Sequence, residues 1–393
     1  MKSTLTQSNT NDSVDKSSPV VMQVLPSLVT GGVERGTVDV TQALTDAGWR
    51  AIVVSKGGPM AHEVSRAGGI HIELPIGRKN PLTAYLNVNR LVKLIREHHV
   101  DIIHARSRVP AWCALGAVRK TDIKFITTFH GNYNAENSIK KFYNSVMAKG
   151  DRVIAISEFI SDQVCQRYGA DPNNVRVVPR SADIELFSPA AVSPERVIQL
   201  SETWRIPDGA AVVMLPGRLT RWKGHMVLLE ALARLKNNKS IRCIMVGGQQ
   251  GKSGYLRELR KAITRLRLES IVHFTGDCRD MPAAFMLADV VVSASTNAEA
   301  FGRVIVEAQA MGRPVIATDH GAAREIITHG ENGWLVPPND ADILADVLGD
   351  ALKIDSKTRN FIARRSVENV RQNYTKDLLG QRTMKVYREV LSG

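Results

Sequence analysis

Two loops of this sequence carry side chains suited to holding an anion beside a set of hydroxyl groups. Residues 216–224 read PGRLTRWKG, so Arg218 and Lys223 stand five positions apart. Arginine offers a planar fork and lysine a point charge, a pair that suits a diphosphate. Two solvated loop cations would show the same pattern. Residues 294–312 read ASTNAEAFGRVIVEAQAMG, which puts Glu299 in a loop, Phe301 and Gly302 at a helix start, and Glu307 inside the helix. A helix opening at Gly302 presents unpaired N–H groups to a phosphate. Carboxylates accept from hydroxyls, and Glu307 lies among Val304, Ile305, Val306, Ala308 and Ala310, where a buried carboxylate needs a partner. A third loop, 26–37, contains Gly31, Gly32 and Gly36. Its GGxxxG spacing is not the dinucleotide fingerprint, so these glycines either let the backbone approach an anion or only shape a turn. His104 and His130 each end a short apolar run, and Gly131 follows the second. A lone histidine is more often structural than functional, and His130 is the better placed of the two.

These loops need elements to position them. Short apolar runs at 20–25, 50–55, 70–74, 102–105, 125–129 and 153–157 read as strands, separated by helix-length stretches such as 84–98. A second series follows at 212–215, 242–246, 271–275, 290–293, 315–318 and 333–336. Strand–helix alternation predicts parallel sheets wrapped by helices. The fold expected is therefore α/β, with two Rossmann-like doubly wound domains facing a central cleft, over 19–187 and 209–370. Residues 1–18 are polar and read as a disordered tail. Proline and glycine bracket a linker at 188–208, and 371–393 reads as a C-terminal helix. Open parallel sheets bind ligands at the carboxyl ends of their strands. Each loop singled out above follows a strand.

Composition narrows the function classes. The chain has 393 residues, with 52 lysines and arginines against 39 acids, net +13. Such an excess favours polyanionic or phosphate-bearing partners. It is shared almost evenly between the two halves, aromatics are only 5%, and no nucleic-acid motif is present, so nucleic acid is not expected as a partner. The four cysteines are scattered without a CxxC pair, which argues against zinc and disulfides. No apolar run approaches the roughly 20 residues that span a bilayer, and the polar N-terminus lacks the apolar core of a secretory signal. A cytoplasmic chain is expected. Two decoys stand out. Residues 246–253, VGGQQGKS, look like a P-loop, but Val246 stands where that pattern needs glycine. Asp340-Ala341-Asp342 forms a DxD, but it follows Pro337-Pro338 at a helix start, where capping explains it better.

Four motifs taken together resemble the GT-B glycosyltransferases of family 4, over almost the whole chain from Val20 to about Arg388. They are TGGVERG, TTFHG, GRLTRWKG, and the E-x7-E of Glu299 and Glu307 within EAFGRVIVEAQAMGRPVIAT. The pair GRLTRWKG and E-x7-E is the most specific. The resemblance implies transfer of a sugar from a nucleotide diphosphate sugar with retention, the acceptor in the first domain and the donor in the second. It implies that Gly31 and Gly32 approach the donor diphosphate and that Arg218 and Lys223 neutralise it. Glu299 would orient the donor sugar's hydroxyls, Phe301 and Gly302 would offer backbone donors, and Glu307 would hold the ribose. His130 would lie near the donor sugar. The last helix would cross back onto the first domain. Arg303 departs from the pattern, since a smaller or apolar residue often follows that glycine.

The segment HARSRVPAW, with TTFHGNYN, looks like bacterial lipopolysaccharide-core mannosyltransferases. That likeness implies a mannose donor and a glycan or lipid-linked acceptor. Basic and apolar residues within 137–149 suit an anionic membrane surface, or else a helix packed on its own sheet. Other readings are a nucleotide-sugar epimerase or phosphorylase of the same fold, a basic nucleic-acid-binding protein, and an inactive scaffold. No cofactor and no metal are expected, because cations and helix dipoles can stabilise a departing diphosphate alone. Full turnover in excess chelator is the expected outcome. Complete loss, restored by a divalent cation, would bring Asp340 and Asp342 back as ligands.

Overall fold

A computed structural model describes residues 18–29, 31–133, 137–235, 240–249 and 253–393. The tail expected over 1–18 falls almost wholly outside the described residues, as do residues 250–252 of the P-loop-like stretch.

The first half runs β1 (Val20–Val24), α1 (Gly32–Asp46), β2 (Arg50–Ser55), α2 (Ala61–Arg66), β3 (Ile70–Glu73), α3 (Pro81–His98), β4 (Ile102–Ala105), α4 (Arg108–Val118), β5 (Lys124–Phe129), α5 (Ser138–Ser145), β6 (Arg152–Ala155), α6 (Glu158–Tyr168) and β7 (Val175–Val177). The second half runs α7 (Pro194–Thr203), β8 (Ala211–Pro216), α8 (His225–Leu235), β9 (Ile241–Val246), α9 (Ser253–Leu266), β10 (Val272–Gly276), α10 (Met281–Leu287), β11 (Val290–Ser293), α11 (Arg303–Ala310), β12 (Val315–Thr318), α12 (Ala323–Ile326), β13 (Trp334–Val336), α13 (Ala341–Ala351), α14 (Ser356–Asn373) and α15 (Lys376–Ser392). Among the described residues the strands form two sheets, ordered β3-β2-β1-β4-β5-β6-β7 and β10-β9-β8-β11-β12-β13. Every pairing is parallel. Strand order reverses between β1 and β4 and between β8 and β11. Those switch points are where such sheets open a ligand crevice.

Parallel strands covered on both faces read as continuous apolar runs. Val20–Val24 and Val290–Val292 are buried at every position. Helix starts are set by side-chain caps. Asn80 caps α3 ahead of Pro81, Ser157 caps α6, and Thr375 caps α15. Asp340 accepts from the N–H groups of Asp342 and Ile343 at 3.1 and 2.9 Å, while Asp342 pairs with Arg234. The DxD is thus a helix cap with an ion pair beside it.

Two features differ from the sequence reading. β7 has only three residues at a sheet edge, too short a run to show periodicity. The stretch 188–208 is not an open linker. It carries α7, with Trp204 buried behind it and Arg196 paired to Asp280 at 2.6 Å. Pro194 opens this helix, because proline at a first helical position loses no bond.

The last helix returns to the first sheet. α15 packs along α1, and its buried Tyr387 hydroxyl lies 2.7 Å from His104 Nδ1, whose Nε2 meets Thr128 Oγ1 at 2.6 Å. Glu389 on the same helix bonds Arg152 at 2.8 Å and Arg176 at 2.9 Å. His104 is therefore a structural histidine that joins the last helix to the central strands β4 and β5.

His225, at the start of α8, is fully buried, and burial pushes its pKa down to about 4. The unfolded chain then binds a proton that the folded one refuses, between pH 6.5 and about 4, so stability falls as pH falls through that window. The full term is of the order of 3 kcal/mol. His225→Phe should flatten the decline in melting temperature between pH 7 and pH 5, whatever it does at neutral pH. An unchanged slope would contradict the assignment.

Candidate functional site

The chemistry-bearing residues gather where the ends of the two sheets meet. After β8 the chain makes a short turn over Arg221–Lys223 and leaves it at Gly224 with φ 73°. A side chain there would be impossible, since a Cβ would stand 1.7 Å from the Ala294 carbonyl oxygen. The loop after β8 thus lies against the end of β11, and the Thr296 N–H donates to Trp222 O at 2.7 Å. This contact delivers Lys223 to Glu299. Lys223 Nζ donates to Glu299 Oε1 at 2.7 Å, and Ser295 Oγ donates to the same oxygen at 2.5 Å. Both charged side chains are mostly shielded, at 13% and 16% exposure. Arg218 stands exposed on the same loop.

α11 begins at Gly302, which takes a left-handed φ of 84°. Phe301 before it is buried against Tyr374. The Ala300 carbonyl accepts from Ser157 Oγ at 2.7 Å, and Glu325 accepts from the N–H groups of Glu158 and Phe159 at 2.9 and 2.8 Å. These bonds run between the two halves, so the start of α11 is held against the first sheet. Glu307, one turn in, pairs with Arg303 at 3.2 Å. Burial pushes its carboxyl above the usual range, and Arg303 opposes that.

On the first-domain side, Gly31 precedes α1 and Gly32 opens it. Arg180 Nη1 lies 2.0 Å from the point where a Cβ on Gly32 would stand, and Arg303 Nη1 lies 3.6 Å from that point. A cavity of about 20 Å³ beneath is lined by Gly32, His104, Arg106, Thr128, His130 and Arg180, with others. Both ring nitrogens of His130 are shielded and lack a hydrogen-bond partner. Burial first, and then Arg180, Arg106 and His104, hold its pKa well below 6.5. The ring is neutral at physiological pH and can accept or donate one hydrogen bond.

The structure thus brings Lys223 to Glu299, Arg303 to Glu307, and the Arg303 guanidinium to Gly32. Sequence reasoning did not find Arg106, Arg180, Ser157, Ser295 or Glu325 as parts of this region. Arg180 was findable, since it lies just beyond a strand's carboxyl end, but only once β7 is recognised. Among the described residues no group of three or more His, Cys, Asp or Glu side chains could hold a metal ion.

Known proteins resemble this chain in sequence and fold. Residues 30–186 match the family described as Glycosyltransferase Family 4, and residues 198–366 match Glycosyl transferases group 1. A crystal structure of a glycosyltransferase from Rickettsia africae superposes with a TM-score of 0.88 at 36% identity, covering 95% of this chain and 99% of that one. Anabaena Alr3699/HepE in complex with UDP and glucose superposes at 0.83 with 25% identity, covering 94% and 100%. A D-inositol 3-phosphate glycosyltransferase from Xylanimonas cellulosilytica is 28% identical over 278 residues, 67% of this chain. The match spans 66% of that relative, just under two thirds of its length.

Removing the cation at the Lys223–Glu299 contact should matter to turnover more than to folding. Lys223→Ala is expected to lower turnover by about 100-fold or more, with the far-UV dichroism unchanged. Arg218→Ala should act in the same direction. Near-normal turnover in both would remove the loop after β8 from the site.

Proposed function

The chain belongs to the glycosyltransferases of group 1 and family 4 and has their two-domain GT-B fold, and on that premise we propose that it moves a hexose from a nucleotide diphosphate sugar to an acceptor hydroxyl with retention. The bond between the sugar's anomeric carbon and the diphosphate oxygen breaks. A bond from the acceptor oxygen forms on the same face. The acceptor's proton passes to the departing phosphate oxygen, and a nucleoside diphosphate leaves.

Each residue has a role in this reading. Arg218 and Lys223 neutralise the departing charge, and the N–H groups around Phe301 and Gly302 add the positive end of α11. Gly31 and Gly32 let the phosphates approach the start of α1. Glu299 spends Oε1 on Lys223 and Ser295, which leaves Oε2 for the donor sugar's hydroxyls. Glu307 takes the ribose. Neutral His130 lies beside the sugar as a hydrogen-bonding group without adding charge. The observation that carries the reading is the reach of the Arg303 guanidinium, from the first turn of α11, to Gly32 at the start of α1. Two carboxylates flanking one bond would be needed for a glycosidase, and Glu299 and Glu307 have separate partners on separate elements.

For the substrates, our reading is a mannose donor and an envelope glycan or lipid-linked acceptor such as lipopolysaccharide core, supported by the 104–112 segment. A surface on the first domain suits an acceptor held at a membrane. Ile139 and Phe142 on α5 and Leu82 and Tyr85 on α3 are exposed, with Lys140 and Lys141 beside them. Basic side chains near an anionic leaflet are worth about 1 kcal/mol each. No helix among the described residues is long and apolar enough to cross a membrane. The named relatives favour a second reading, a UDP-sugar donor and a phosphorylated polyol acceptor.

Thermal shift against UDP, GDP and ADP, without metal, separates these readings, because a ligand that binds only the folded chain raises its melting temperature. GDP selectivity supports mannose. UDP selectivity supports the second reading. No shift with any of them at millimolar concentration would contradict a nucleotide-sugar transferase.

A further inference from the structure

Three guanidinium groups crowd one side of the cleft, and among the described residues only Arg303 has a carboxylate partner, Glu307. Arg106 is almost wholly buried; it donates from Nη1 to Gln23 Oε1 at 2.8 Å, while its Nε has no partner. Gln23 is in turn fixed by α1, donating to Thr37 O at 3.1 Å and Thr41 Oγ1 at 3.0 Å. Arg106 is thus held from below and points no further than the cavity. Arg180 is held differently. Its Nε is shielded and unpartnered, and among the described residues it makes no ion pair. Burial, with Arg303 and Arg106 nearby, pushes its pKa down to about 10. Arg303 comes from the other half of the molecule, on the first turn of α11, and is the residue that departs from the family pattern.

Burying a cation without a counter-charge is costly, and like charges at close range raise the cost. The acids on α1 offset part of it. Glu34 turns toward Gly31, and Asp39, whose carboxyl burial raises to about 6, stays mostly ionised at pH 7. What Arg180 still lacks is a partner on its shielded Nε. The place for an anion is defined, because Arg180 Nη1 and Arg303 Nη1 reach the same point above Gly32, beside the unpaired N–H groups that open α1.

We propose that Arg180 and Arg303 form a cross-domain guanidinium clamp on the terminal phosphate of the departing nucleoside diphosphate. The proposal rests on the transferase reading above. Arg303 has a second task in the ligand-free chain, where it occupies Glu307 at 3.2 Å. When the ribose hydroxyls reach Glu307, that carboxylate is claimed and the Arg303 fork is released to the phosphate. Arg218 and Lys223 hold the diphosphate from the second domain alone. Arg180 adds the grip from the first domain, so filling the site draws the two domains together. Arginine suits this better than lysine, since its fork meets two phosphate oxygens at once.

The test is calorimetric titration of the full chain as wild type, Arg180→Gln and Arg303→Gln. The probes are whichever of UDP, GDP and ADP the wild type binds, and the monophosphate of the same nucleoside. Each variant should lose about tenfold or more in diphosphate affinity, as expected for a charge-assisted bond, and should keep monophosphate affinity within about twofold of wild type. Diphosphate binding unchanged in both variants overturns the clamp. Equal losses for the mono- and diphosphate also overturn it, by making Arg303 only a holder of Glu307. If a glutamine variant fails to fold, Arg180→Lys and Arg303→Lys replace it, and an intermediate loss confined to the diphosphate supports the fork. A wild-type chain that binds no nucleoside diphosphate contradicts the transferase reading itself, which is distinct from failure of the clamp alone.

Discussion

Positive charge held out of water organises this molecule. Lys223, Arg106, Arg180 and Arg303 all lie where the two sheets meet; the first three are shielded, so desolvation makes them costly unless an anion is near, while Arg303 stays half-exposed. The protein supplies carboxylates for two of them. Glu299 takes Lys223, and Glu307 takes Arg303. His130 sits among the same cations, and burial first, then those cations, hold its pKa well below 6.5. Cations fixed in this way need no rearrangement when negative charge develops, which is the condition for electrostatic stabilisation of a leaving group.

Holding that charge in place depends on close backbone approach and on ties between the halves. Gly224 lets the loop after β8 touch β11, and Gly302 takes the left-handed turn that starts α11. Ser157 and Glu325 then bind backbone groups across the cleft. The last helix closes the assembly by returning to α1, where Tyr387 meets His104.

Much of this was legible in the residue order. Buried parallel strands are largely continuous apolar runs, so every strand but β7 could be placed from them, and the loops after them followed. Asp340 could be read as a cap because Pro337-Pro338 forces a helix start nearby. Other features left no local signal. β7 is three residues long, and α7 hides behind prolines that read as a break but open a helix. Arg180 and Arg303 are 123 positions apart, and only the fold shows that both reach Gly32. The pairings of Lys223 with Glu299 and Arg303 with Glu307 likewise depend on how loops cross. A spacing rule identifies the motif residues, whereas partner choice is a tertiary property.

The central claim is same-face substitution in this cleft, with the diphosphate leaving on the side where the acceptor arrives. Proton NMR of the first product formed from an α-linked nucleotide sugar measures it directly, through the anomeric coupling constant. An α-linked product from an α-linked donor is the expected result. A β-linked product would mean attack from the opposite face, and would contradict the roles of Lys223, Glu299 and His130 in a retaining reaction.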